Sequence, residues 1–158
     1  MIRISRMADY GVVALSFMAR DPDRFYSAAT VAEGTGLPLP SVSKLLKLLV
    51  KSGVVTSRRG VSGGYGLGRT PNNISVADLV TAVDGPIALA DCLEGSSGSA
   101  CGIESFCVIR GPWQKVSDAI KVALEEVTLA DITSSFPETL NVSREKDLLS
   151  AERRNHLR

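Results

Sequence analysis

Apolar residues at Met7, Tyr10, Gly11, Ala14, Phe17 and Met18 in SRMADYGVVALSFMARD recur three and four residues apart, the spacing of one face of a helix. A shorter helix is expected from about Ser27 to Gly34, stopped by GTGLPLP, whose prolines and glycines prevent continuation. SVSKLLKLLVKSG then sets Val42, Leu45, Leu46 and Leu49 on one side and Lys44, Lys47 and Lys51 on the other, with Gly53 closing the helix. VVTSRRGVSGGYGLGRT reads as strand, glycine-rich turn, strand. In ISVADLVTAVDGP, Ser75 is placed to cap a helix, with Asp78 three residues on and Ile74 and Leu79 as a hydrophobic staple, and Asp84-Gly85-Pro86 ends it.

A cysteine-bearing stretch follows, and Gly111-Pro112 opens a long helix, proline being suited to a first turn. Along it Trp113, Val116, Ile120, Ala123 or Leu124, and Val127 form a single apolar seam. A seam of roughly four turns is too long for a small domain to cover, so it is read as a dimerisation helix. Packing against the first helix is the alternative. TLADIT offers a further short helix capped at Thr128, and from about Pro137 the chain turns polar, as a disordered tail would, with the single histidine, His156, inside it.

Two short helices joined by a tight turn, followed at once by a hairpin, have the form of a winged helix-turn-helix. The expected fold is therefore mainly α, with a two-stranded wing and a long dimerisation helix. Residues 1–85 form the DNA-binding unit, 86–110 the cysteine loop, 111–136 the dimerisation helix with its short successor, and 137–158 the tail.

Charge strengthens the DNA reading. The 158 residues carry a net charge of only +1. Yet residues 1–70 hold ten Lys and Arg against four acids, while residues 71–110 hold one against five. A basic half is what a polyanion binder needs, because neutralised phosphates release counterions. Three lysines on one helix face also suit plain solvation, but Arg58 and Arg59 sit beside the Gly60, Gly63 and Gly64 turn, where an arginine can reach a minor groove. RRGVSGGYGLG lacks the Gly-Lys-Ser/Thr ending of a phosphate-binding loop and opens no helix. No acid–base constellation suggests catalysis. The N-terminal apolar run is too short to span a membrane and no cleavage site follows it, so a cytoplasmic location is expected.

All three cysteines, Cys92, Cys101 and Cys107, fall within DCLEGSSGSACGIESFC. An odd number of thiols cannot pair fully within one chain, and a reducing compartment disfavours structural disulfides. Thiolates are soft ligands for iron–sulfur clusters and for zinc, and neither spacing is the C-x2-C pair of a zinc knuckle. A thiol switch is a third use.

Taken in order, RISRMADYGVVAL, PSVSKLLKLLVKSGVV, RRGVSGGYGLGR, ISVADLVTAVDGP and the three-cysteine loop resemble the IscR-type winged-helix regulators, within the wider BadM/Rrf-type family. The resemblance covers residue 2 to about 134. It implies a homodimer on a pseudo-palindromic double-stranded DNA operator, and a repressor of iron–sulfur assembly or iron-homeostasis genes. A nitric-oxide or redox-responsive repressor is the alternative. The residues aligned with DNA contacts are Ser41, Ser43, Lys44, Lys47, Arg59, Ser62, Gly63 and Gly64, with Arg58 beside them. Ser43 stands where some relatives have a glutamate that restricts operator choice, implying a different or broader preference. Cys92, Cys101 and Cys107 align with cluster thiolates, although the C-x8-C gap exceeds the five residues of well-known members. Two-iron relatives use a histidine where this chain has Arg110, which cannot ordinarily donate to iron. Four-iron relatives take an aspartate from the first helix of the other subunit, aligned with Asp9. The resemblance thus favours a 4Fe-4S cluster, with 2Fe-2S as the alternative. Asp91, Glu94 and Glu104 are local alternatives to Asp9.

Overall fold

A computed structural model describes residues 4–89, 93 and 107–135 of the chain. Helix α1 (Arg6–Met18) starts at Ser5, whose hydroxyl accepts the Ala8 N–H at 3.0 Å. Ser5 also donates to the Asp84 carboxylate at 2.6 Å, tying the start of this helix to the end of a later one. The predicted face is buried at Gly11, Ala14 and Met18, with Ala8 and Leu15 added. Gly11 serves close packing: a Cβ there would meet Leu79 at 2.5 Å.

Helix α2 (Ala28–Thr35) is capped by Ser27 and ends at Gly36, whose φ of 72° a glycine adopts without steric cost. Helix α3 (Leu39–Lys51) begins two residues before the expected Ser41. Its N-cap is Pro38 and Pro40 lies in the first turn, where a missing N–H breaks no helical bond. The proline expected in the turn is thus part of the helix. Val42, Leu45, Leu46 and Leu49 are fully buried. Burial of each stabilises the fold by about 1.5–3 kcal/mol.

Strands β1 (Val55–Arg58) and β2 (Gly64–Leu67) pair antiparallel, with Val55 opposite Leu67 and Arg58 opposite Gly64. The segment between α1 and α2 adds to this hairpin. Tyr26 donates to the Tyr65 carbonyl at 2.9 Å and accepts the Tyr65 N–H at 2.8 Å. Helix α4 (Val76–Asp84) follows a short 3-10 turn and carries the full predicted capping box, each of Ser75 and Asp78 accepting from the other's backbone N–H. Ile74 and Leu79, the expected staple, are both buried in the main core.

Helix α5 (Arg110–Glu126) packs along α4, not along α1 as the alternative reading had it, and buries only Ser117. It stops one residue short of the expected seam. Val127 is extended, and its carbonyl accepts the Val76 N–H at 2.9 Å. A short bridge between Ser75 and Thr128 thus replaces the last helical position. Helix α6 (Leu129–Ser135) is capped by Thr128 as expected, whose hydroxyl accepts the Asp131 N–H at 3.2 Å, and Leu129 joins the core formed by α1 to α4. The expected tail lies outside the described residues.

Candidate functional site

The turn between α2 and α3 presents one side of α3 outward because its apolar stripe is consumed by the core. Lys44 and Lys47 are exposed, Ser41 and Ser43 half-buried, and Leu39 and Pro40 stand out at the first turn. The wing rises beside this face. Arg58, Arg59, Gly60, Val61 and Ser62 are all exposed. At its tip Gly60 has φ 109° and accepts the Gly63 N–H at 3.0 Å.

Gly63 and Gly64 have structural reasons of their own. A Cβ on Gly63 would lie 2.3 Å from the Arg58 carbonyl oxygen, and one on Gly64 2.5 Å from that of Tyr26. Glycine therefore lets the tip close and lets the 25–26 segment approach. Two residues escaped the sequence reading. Val61 is fully exposed at the tip. Phe25 lies under Arg58, with the guanidinium carbon 4.3 Å from the ring centroid. A lone aromatic in DPDRFYS gives no periodic signal, although the bare Gly64 and Gly66 face of the hairpin invites a docked ring.

Electrostatics support the scaffold around the wing. Burial favours the neutral form of Asp78, but the Ser75 backbone N–H, the Arg69 guanidinium and the Ser75 hydroxyl together outweigh it and lower its pKa. Arg69 and Asp78 stand 3.3 Å apart. The Thr128 hydroxyl and backbone N–H likewise lower the Asp131 pKa. Burial, helped by the Asp21 charge, raises the Tyr26 phenol.

Of the three thiols, only Cys107 lies among the described residues; Cys92 and Cys101 lie outside them, as do Asp91, Glu94 and Glu104. Cys107 is half-buried, and its carbonyl accepts the Arg110 N–H at 3.4 Å at the entrance to α5. The other end of the cysteine segment is held too: Leu89 donates its N–H to the Ser117 hydroxyl at 3.1 Å. Among the described residues no three His, Cys, Asp or Glu gather into a metal site. Asp9 is exposed in the first turn of α1, and no Arg6–Asp9 ion pair forms among the described residues.

The expected α5 seam is only partly covered. Trp113 is 45% exposed, Val116 44% and Val127 41%, with Ile120 and Leu124 half-buried. Ile109, 52% exposed, extends it by one turn toward Cys107. Among the described residues no helix is long and apolar enough to cross a membrane.

Residues 4–135 match the family profile Rrf2, described as an iron-dependent transcriptional regulator. The chain is 33% identical over 139 residues to an rrf2-like HTH-type transcriptional regulator of Rhodobacter capsulatus, covering 84% of this chain and 93% of that one. It is 29% identical to the HTH-type transcriptional regulator IscR of Escherichia coli O1:K1, over 90% and 86% of the two chains. Among solved structures, CymR, the global cysteine regulator of B. subtilis, superposes with a TM-score of 0.66 at 28% identity, covering 87% of this chain and 100% of that one. IscR of T. potens gives 0.61 at 31%, over 87% and 90%. The chain belongs to the Rrf2 family: it is a winged-helix, DNA-binding transcription regulator and not an enzyme.

Proposed function

We propose that this Rrf2-family protein is a cytoplasmic homodimer that represses genes for iron–sulfur assembly or iron homeostasis in response to its own cluster. The observation that carries the reading is the position of Cys107. This ligand candidate stands three residues ahead of α5, in the segment that leads into the helix bearing the exposed Trp113 and Val116. A thiolate there adjoins the surface on which a second copy would pack.

The donor set fits an iron–sulfur cluster in kind: Cys92, Cys101 and Cys107 supply soft thiolates, and the exposed Asp9 supplies a carboxylate. Reaching the partner subunit's Asp9 would tie one subunit's cysteine segment to the other's DNA-binding unit. When bound, the cluster supplies a linkage sensitive to iron supply and oxidants. Asp9 would hold one iron more weakly than the thiolates do, since a hard carboxylate suits this metal less. The Arg110 side chain offers N–H donors and no acceptor for a metal, so it is not suited to be the fourth ligand, which favours 4Fe-4S over 2Fe-2S.

On DNA, the dimer would set two α3 helices into successive major grooves, a spacing to which dimeric helix-turn-helix proteins are sensitive. Lys44 and Lys47 neutralise phosphates. Ser41 and Ser43 carry hydroxyls that both donate and accept, so Ser43 tolerates more bases than an acid would. Arg58, Arg59 and Ser62 meet the backbone or minor groove from the wing.

A redox- or nitric-oxide-responsive repressor of the same architecture is the second reading, for which the three cysteines supply reactive thiols. Anaerobic reconstitution with iron and sulfide, followed by absorption spectroscopy and native mass measurement, tests the first. A dimer carrying cluster iron and sulfide, reduced by Cys92→Ala, Cys101→Ala or Cys107→Ala, is expected. A protein that takes up zinc alone, or nothing, overturns it. In the same preparation Asp9→Ala should change cluster lability.

A further inference from the structure

Arg58, the last residue of β1, does not project freely. Thr56, Arg58, Gly64 and Gly66 share one face of the hairpin, because Arg58 pairs with Gly64 and Thr56 with Gly66. The two glycines leave that face bare. Phe25 fills it: a Cβ on Gly66 would fall 3.0 Å from the Phe25 ring. The ring is held in place by the mutual hydrogen bonds of its neighbour Tyr26 with Tyr65, at 2.9 and 2.8 Å. Arg58 then lies over the ring at 4.3 Å, within the range of a cation–π interaction.

From this contact we infer that Phe25 is a positioning residue for DNA binding, holding Arg58 beside the wing tip before DNA arrives. The inference rests on the reading of Arg58 as a DNA contact. Its physical content is preorganisation. A free arginine loses rotamer freedom when it is immobilised on DNA, and one already stacked on a ring loses less. Phe25 itself needs no contact with the duplex. Leucine at this position would still cover Gly66 while removing the aromatic face, whereas tyrosine would keep that face.

The test is a double-mutant cycle in the full-length protein, using Phe25→Leu, Arg58→Gln and the pair, with Phe25→Tyr as control. The probe is a duplex selected from a randomised library by the wild-type protein, with affinity read by fluorescence anisotropy across a salt series and melting followed in parallel. Arg58→Gln should weaken binding and flatten the salt dependence. Phe25→Leu should weaken it about three-fold, the scale of an exposed cation–π contact. It should have no effect once residue 58 is glutamine, and Phe25→Tyr should bind as wild type. Equal loss from Phe25→Leu in both backgrounds, or no loss in the first, overturns the inference while leaving Arg58 a DNA contact. Unchanged binding by Arg58→Gln overturns the contact and the inference together.

Discussion

Helices α3 and α5 are both amphipathic, yet they meet opposite fates in one chain. The α3 stripe of Val42, Leu45, Leu46 and Leu49 is fully buried, and its basic side is left to solvent. Helix α5 buries only Ser117 and leaves Trp113 and Val116 nearly half exposed. A helix's apolar face shows that it needs cover; the neighbouring elements decide whether the chain supplies it. The head supplies it for α3 from α1, α2, α4 and β1. For α5 the chain supplies α4 along one side and leaves the seam partly open, with Ile120 and Leu124 half-buried.

The largest break in this contrast should come from the closed side. Leu46→Ala is expected to cost about 3 kcal/mol, because a fully packed site loses both transfer energy and contacts around the cavity. Chemical denaturation measures it, and a loss below 1 kcal/mol would mean that the α3 core is less closed than its burial indicates. On the open side, Val116→Asp should leave the head folded but weaken self-association by about 2 kcal/mol, or roughly thirty-fold, as expected for a central interface position. Sedimentation across a dilution series is expected to show a monomer at concentrations where the proposed wild-type dimer persists. An unaltered dimer would move the interface elsewhere.

A smaller effect concerns the scaffold that joins the two regions. Asp78→Asn should cost about 1 kcal/mol at neutral pH, the usual scale of a lost helix cap. Since the folded state lowers the Asp78 pKa, its contribution is complete above the unfolded value of about 3.9 and fades as pH falls through the lower folded value. The stability gap between wild type and Asp78→Asn should therefore shrink below about pH 4. A gap that persists well below that range would assign the effect to packing.

The smallest expected change sharpens the seam. Val122 is 52% exposed and lies nine positions from Trp113, on the opposite side of α5. Val122→Ser should alter stability and association by no more than about 0.5 kcal/mol. Dimer loss in that variant would place the interface on the wrong face.

Much of this was legible because it is local. Ser75 and Asp78 cap a helix through atoms three residues apart, and a glycine-rich tip between strand formers predicts a hairpin. Where the reading slipped, geometry at an element's end was the reason. By sequence Pro40 reads as part of the turn, because proline ordinarily breaks helices, but the first turn does not need its N–H. Val127 fits the seam by spacing alone, yet hydrogen bonding to Val76 draws it into an extended bridge.

By itself the sequence determined the order of the elements, the basic face of α3, the wing and the grouping of thiols, since periodicity, capping and charge act over a few neighbouring residues. Only the tertiary structure decided that Leu129 returns to the first core, that α5 lies on α4 with its seam only partly covered, and that Phe25 seats Arg58 across a face emptied by glycine. Those outcomes depend on surfaces brought together from distant parts of the chain, and no local rule encodes which surface a given side chain will meet.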